Sequence, residues 1–383
     1  MGRQLKGRGS QKTCHFVWRW GEGKSSSGYR LRIFFVMKAA ILKQPGKLEI
    51  REVRTPDCPP GGILVKVKAC GICSSDAKMV TSGHRALNYP RILGHEIAGI
   101  ISESRNRQFK PGDRVQVAPG LRCGECLACR RGLDNQCEHR EILGFSYDGG
   151  FAQYISIPLS GPIIGALTLL PENVSFEEAS LGEPLACCIN AQEKAGTRSH
   201  DTVLIIGAGP LGLLHAVVAK SRKAETVIIS EPSEHRRTTA QHIWADYVIN
   251  PLEENLYQSV LEITEGKGAD VVIFACSRVA LDQTVINLLA PCGRVSIFSG
   301  TFPPISQLRL DSNTIHYKEL AISGAYGCTA RQNKEAINLM ISNMWASYKF
   351  AIHSVTLETI GQGIEDTKTN RVLKSVLEVT NGK

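Results

Sequence analysis

Between residues 202 and 231 an apolar run, TVLIIG, passes through a glycine-rich turn into LGLLHAVVAK and then into a second apolar run, TVIISE. The glycines of LIIGAGPLGLLH, Gly207, Gly209 and Gly212, are spaced G-x-G-x-x-G, directly after a predicted strand and at the opening of a predicted helix that starts near Pro210 and Leu211. Two apolar strands joined by a helix must lie parallel, because antiparallel neighbours need only a tight turn. This half of the chain must therefore build a parallel sheet covered on both faces.

The same spacing carries a binding chemistry. Glycines at these positions let the backbone approach a pyrophosphate, which then rests on the amides and positive end of the helix. Glu231 ends the next strand about 20 residues on, where an acid accepts hydrogen bonds from ribose hydroxyls and repels a 2′-phosphate. That favours NAD over NADP, although Arg236 is near enough in sequence to pair with such a phosphate or to stack on adenine. A glycine turn without a ligand is the plainer reading, and the acid in register argues against it.

A chain of 383 residues exceeds what one hydrophobic core usually supports, so two domains are expected. DYVIN, ADVVIFAC and RVSIFSG continue the strand–helix alternation beyond TVIISE. Before it, from Met37 to about Pro171, short β segments are separated by Gly/Pro turns: KLEIREV, GILVKVKAC, EIAGIIS, DRVQVAP and FAQYISIP. Such runs predict a barrel-like all-β domain. Residues 161–170 read as a small insertion or irregular loop, KEAINLMISNM as a helix and SVLEVT as a strand.

The net charge of +9 invites a nucleic-acid reading, but residues 1–36 carry +7 of it and the other 347 residues only +2. A phosphate-tracking surface is not indicated. No apolar run is long enough to span a membrane. The basic leader lacks an apolar core and a cleavage site, so it reads as disordered or as a spurious extension before Met37. Thirteen cysteines without a secretion signal place the chain in a reducing cytoplasm, where clustered Cys means metal.

Two clusters follow. Cys123, Cys126, Cys129 and Cys137 form C-x2-C-x2-C-x7-C, which suits a closed, structural zinc site. An iron–sulfur cluster would want its fourth Cys at x3 with a proline after it. A zinc-ribbon contact to nucleic acid is disfavoured by the modest basicity of the lobe, and disulfides by the compartment. Earlier, ACGICSSDAKM and LGHEIAG offer Cys73, His95 and Glu96, a thiolate, an imidazole and a carboxylate that zinc accepts. Asp76 can take the free ring N–H of His95 and fix its tautomer. Ser75 places a hydroxyl where it could take a proton from an alcohol. Glu183, in GEPLACCINA, is a third acid that could reach the metal from between the domains. Taken singly, each is an ordinary core or surface residue.

These four motifs in this order resemble the zinc-dependent medium-chain alcohol dehydrogenases, over essentially all of residues 37–383. GICSSD, LGHE and GEPLA are most similar to the polyol branch, which holds the sorbitol and threonine dehydrogenases. The resemblance implies an α/β chain with a GroES-like β-barrel catalytic domain over 37–186, a doubly wound Rossmann domain over 187–326, and a return to the first domain over 327–383. It implies one catalytic zinc on Cys73, His95 and an acid, either Glu96 or Glu183 or both at different stages, and one structural zinc on the four cysteines. It places cofactor contacts on Gly207, Gly209, Pro210, Leu211, Gly212, Glu231 and Arg236, on Phe298, Ser299 and Gly300, and on Gly324, Ala325 and Tyr326. It makes Ser75 the proton relay and implies a homodimer or homotetramer. Lys78 and Asn190 depart from the family, each standing where relatives often carry histidine.

The activity implied is oxidation of a secondary alcohol (a polyol, a sugar alcohol or its phosphate, or a threonine-like substrate) with hydride transfer to NAD. A zinc-independent NADPH enone or quinone reductase is the first rival, opposed by the complete metal set and by Glu231. A non-catalytic NAD-binding protein is the second. SGHRALNYPR, between the metal ligands, is expected to line the substrate pocket, with His84 and Arg85 available to hydroxyls or a phosphate.

Overall fold

The fold was described from a computed structural model covering residues 35–242, 245–279, 281–300, 307–342, 345 and 351–380. The leader reading falls almost entirely outside the described residues.

The first half is a curled sheet, antiparallel except where 352–355 runs parallel to 374–378. Its strands run in the order 352–355, 374–378, 63–71, 96–104, 114–122 and 141–142, with 154–157 added on 63–71 and 164–169 on 114–122. A hairpin of Val36–Gln44 and Lys47–Arg54 packs beside it. Alternate residues of these strands, including Ile63, Val65, Val67, Ile97, Ile101, Val115 and Val117, close on one apolar core, as a barrel with one inward face requires. Residues 161–170 are not an irregular loop: Ile164–Leu169 is a strand, antiparallel to Arg114–Arg122 with Leu167 opposite Val117. Gly165 reads as a breaker but marks a close approach, since a Cβ there would lie 2.8 Å from Ile157 Cγ2.

The second half is a six-stranded sheet in the order 247–249, 226–230, 202–206, 269–274, 289–297 and 321–324, every pair parallel. One face buries Val203, Ile205, Val227 and Ile229 against helix Pro210–Ser221. The other buries Leu204, Ile206, Ile228 and Val272. This double burial explains the continuous apolar strands. The strand order reverses direction between 202–206 and 269–274, where open parallel sheets bind ligands.

After the parallel sheet the chain returns to the first half: Lys374–Glu378 pairs antiparallel with Ile63–Gly71. Helix Gly182–Lys194 joins the halves. Its buried Asn190 donates to the Gly327 carbonyl at 2.9 Å and accepts from Gln332 Nε2 at 3.1 Å. Asn190 is therefore a satisfied structural amide. No helix among the described residues is long and apolar enough to cross a membrane.

Candidate active site and metal centres

Strand register brings the first metal cluster together. Gly71 lies opposite Glu96 in the antiparallel pairing of Ile63–Gly71 with Glu96–Ser104. Cys73 leaves one strand just as His95 enters the other, so a sequence separation of 22 residues closes in space. Donor atoms of Cys73, His95 and Glu96 all lie within 4.8 Å of one another.

Cys73 caps the helix Ser74–Ser82, and its N–H donates to Asp76 Oδ2 at 2.9 Å. Asp76 Oδ1 is 3.4 Å from His95 Nδ1, near enough for attraction but aligned too poorly for a hydrogen bond. With Nδ1 turned to Asp76, Nε2 is the ring nitrogen left for a metal. Burial alone would lower the His95 pKa, but the Asp76 carboxylate and the Cys73 thiol outweigh it and hold it well above its ordinary value. Phe145 walls the site, its ring centroid 5.4 Å from that of His95 and 5.6 Å from that of His84. Ser75 is half-buried in the first turn of the helix, and Lys78 lies on its exposed side.

Glu96 has a partner that sequence reading missed. Lys374, at the head of the returning strand, places Nζ 2.7 Å from Glu96 Oε1 and 2.5 Å from Oε2, with both side chains buried. Burial disfavours the ammonium, but Glu96, Cys73 and Asp76 raise its pKa on balance. A lysine opening the buried strand KSVLE was the available signal. Gly71 makes room for this pair, since a Cβ there would stand 1.8 Å from Glu96 Oε2.

Glu183 is placed differently. Its Oε1 accepts from Cys187 Sγ at 3.3 Å, and its carboxylate groups with Cys187 and Cys328 within 4.8 Å. Burial raises its pKa, tempered by His95 and reinforced by Glu96, so it stands in electrostatic reach of the first cluster.

The four-cysteine lobe is compact: sulfur separations are 3.5 Å for Cys137–Cys123, 3.9 Å for Cys126–Cys137 and 4.0 Å for Cys123–Cys129. Four thiolates at zinc–sulfur distance from one tetrahedral ion would stand about 3.8 Å apart. Backbone amides of Cys129 and Glu138 draw Cys126 down to about 6, whereas burial pushes Cys129 up to about 12. The lobe also reaches across to the second half. Asn135 Nδ2 donates to the Tyr326 carbonyl at 2.9 Å, the Ala330 N–H donates to Asp134 Oδ2 at 3.2 Å, and the Arg140 guanidinium stands 5.2 Å from the Tyr326 ring centre.

At the glycine turn, Gly207 has φ +103°, and a Cβ on Gly212 would lie 1.9 Å from the Gly207 carbonyl oxygen. Only glycine fits these two positions. Gly209 caps the helix and Pro210 occupies its first turn, with Leu211 following. Glu231 accepts from the Ala208 N–H at 2.7 Å and the Ser233 N–H at 2.9 Å, tying the acid to the turn. Arg236 Nη1 would stand 3.9 Å from a Cβ on Gly209, on the open side of the loop. The Ser299 N–H donates to the Phe274 carbonyl and the Ala325 N–H to the Ile297 carbonyl. These bonds hold both segments at the ends of neighbouring parallel strands. Gly300 and Gly324 face open space, and the Phe298 ring packs edge-on against His215 at 4.5 Å.

A GroES-like barrel joined through a helix to a doubly wound parallel sheet is the architecture of the medium-chain dehydrogenases, metal-dependent members of which bind a nicotinamide dinucleotide. Residues 59–164 match the alcohol dehydrogenase GroES-like domain and residues 210–342 the zinc-binding dehydrogenase domain. The L-threonine 3-dehydrogenase of Pyrococcus horikoshii is 39% identical over 303 residues, 77% of this chain and 83% of that protein. The sorbitol dehydrogenase of Bacillus subtilis strain 168 is 34% identical over 297 residues, 76% of this chain and 82% of that protein. Among solved structures, a chain from Sinorhizobium meliloti 1021 assigned as a zinc-binding dehydrogenase and bound to NADP superposes with a TM-score of 0.80 at 27% identity. The match covers 90% of this chain and 99% of that one. The chain belongs to the zinc-binding, polyol-type branch of the medium-chain alcohol dehydrogenases, an enzyme family that uses zinc and NAD(P).

Proposed function

We propose that the protein oxidises a secondary alcohol of the polyol, sugar-alcohol or threonine-like class to a ketone, passing hydride to NAD. The observation that carries this reading is the convergence of Cys73, His95 and Glu96, backed by Asp76 and Lys374, in a chain whose dinucleotide turn is intact. A thiolate, an imidazole and a carboxylate whose donor atoms lie within 4.8 Å of one another are a donor set that fits a zinc ion. When bound, zinc supplies a Lewis acid that lowers the pKa of an alcohol toward neutrality, and the nicotinamide supplies the hydride acceptor.

The residues of this chain do the rest. Cys73, His95 and an acid hold the ion. Glu96 is the acid beside them, with Glu183 as the alternative. The Asp76 carboxylate attracts the Nδ1 side of the imidazole and leaves Nε2 for the ion, Lys374 balances the charge of Glu96, and the Ser75 hydroxyl carries the alcohol proton away. Phe145 keeps water from one side, and His84 and Arg85 border the substrate. Cys123, Cys126, Cys129 and Cys137 hold a structural zinc. The turn from Gly207 to Gly212 seats the pyrophosphate, with Glu231 on the ribose and Arg236 beside it. Segments Phe298–Gly300 and Gly324–Tyr326 flank the nicotinamide.

Glu231 supports NAD over NADP, against the pull of Arg236. The catalytic domain spans 37–186 and 327–383, a division supported by the pairing of Lys374–Glu378 with Ile63–Gly71. A cytoplasmic homodimer or homotetramer is the proposed state.

Assaying NADH formation on polyols, sugar phosphates, L-threonine and simple secondary alcohols, with and without a chelator, tests the proposal. Turnover that survives Cys73→Ala or His95→Ala, or complete metal removal, would overturn it.

A further inference from the structure

A cavity of about 670 Å³ opens in the first half, and among the described residues none that lines it belongs to the metal or dinucleotide sites. That volume is the size of an ordinary small-molecule site. Its shape follows from strand register. Arg54 stands opposite Val36 and Arg91 opposite Leu42, on the two sides of strand Val36–Gln44. Those two strand positions are about 20 Å apart at the rise of a β-strand, so the cavity is a trough with an arginine at each end. Between the ends its wall is aliphatic, built from Met37, Ile41, Val53, Ile92 and Ile155. An apolar trough with charge only at its ends suits an elongated apolar body that carries one charged head.

The two ends are not equivalent. Arg91 Nη1 donates to Asp148 Oδ1 at 2.8 Å, and the same oxygen accepts from the Ile92 N–H at 3.1 Å. A second carboxylate at that end would meet Asp148 and be repelled. Arg54 pairs with Asp57 at 2.7 Å, but the two side chains are 51% and 79% exposed, and such a pair is weak. The Arg54 guanidinium can therefore turn to a ligand carboxylate and hold it in fork geometry. The antiparallel bridge of Ala39 with Ala152 sets Tyr154 beside Met37, at the Arg54 end. Burial raises the Tyr154 pKa, so its phenol stays protonated and can donate.

We propose that this trough binds a straight-chain carboxylate of medium length, its head on Arg54 and Tyr154 and its chain laid along Met37, Val53 and Ile41 toward Ile92. It is a second small-molecule site, and it does not rest on the proposed alcohol oxidation.

The test titrates the full-length, zinc-loaded protein with butyrate, hexanoate, octanoate and decanoate, each below its micelle concentration, by isothermal titration calorimetry. Affinity is expected to rise about fourfold for each added methylene. Arg54→Gln should weaken decanoate about tenfold, and Ser156→Trp, which fills the trough beside Asp57, should abolish its binding. NADH binding, followed by fluorescence titration, should be unchanged in both variants, which shows that they are folded. Arg54 is exposed, so its variant carries the test even if the tryptophan variant fails to fold. Absence of saturable decanoate binding, affinity independent of chain length, or wild-type affinity in Arg54→Gln would overturn the proposal. So would binding that is lost in Cys73→Ala, because the carboxylate would then sit at the metal centre instead.

Discussion

Lys374 and Glu96, 278 residues apart in sequence, form a buried ion pair at the edge of the proposed catalytic centre, with Nζ 2.7 Å from Oε1. A buried pair adds little net stability, but breaking it strands the surviving charge. Lys374→Met is therefore expected to destabilise the fold by about 3–5 kcal/mol, read by urea denaturation. Adding Glu96→Gln to that variant should restore much of the loss, because no uncompensated charge remains. A single Lys374 variant as stable as wild type would show that the pair does not hold this corner together.

Gly71 is the second control on the same carboxylate. A methyl group at this position would overlap Glu96 Oε2, which must then move by more than an ångström. Misplacement of a reacting group on that scale costs about 100-fold in rate. Gly71→Ala should thus lower kcat by about that factor while dinucleotide binding, followed by fluorescence titration, is unchanged. A variant with wild-type kcat would mean that the carboxylate plays no part at the metal.

Much of this was legible in the sequence because the information was local. The G-x-G-x-x-G turn, the acid in register with it and the C-x2-C-x2-C-x7-C spacing each lie within about one supersecondary unit. The structure draws each together as a unit: Glu231 bonds the Ala208 N–H, and the four sulfurs stand at tetrahedral spacing. What stayed hidden depends on chain return. Lys374 reaches Glu96 only because the final strand pairs with Ile63–Gly71, and no local pattern encodes that pairing. Cys187 and Cys328 are likewise brought together by the packing of two helices. Residues 164–169 were missed for a different reason: Gly165 looks like a chain breaker until Ile157 is seen pressing on it.

The four-cysteine lobe is expected to support more than itself. Asn135 and Asp134 within it bond the backbone of Tyr326 and Ala330, and Arg122 braces Asp134 at 3.0 Å. Cys126→Ser should remove one zinc per chain and loosen this contact as well as the lobe. Faster amide exchange at residues 325–331, together with the loss of one zinc, is the expected readout. Exchange confined to residues 123–140 would show that the lobe is not a brace.

His215 gives a prediction independent of any metal. Its ring is buried in helix Pro210–Ser221, between the neutral side chains of Gln192 and Phe298, and burial lowers its pKa from the ordinary 6.5 to about 3. A histidine with a depressed folded pKa contributes fully above the unfolded value, where both states are neutral. As pH falls below 6.5 the unfolded chain takes a proton that the folded chain refuses, so stability is lost down to about pH 3. The slope is about 1.4 kcal/mol per pH unit, or about 2 kcal/mol between pH 6.5 and 5. His215→Leu removes that proton from the balance, while Gln192 keeps its bond to the residue 215 carbonyl at 2.7 Å. The variant's stability in urea should therefore fall less steeply with acid than that of wild type, by about this amount. Parallel acid limbs would mean that the imidazole finds a proton in the folded state after all.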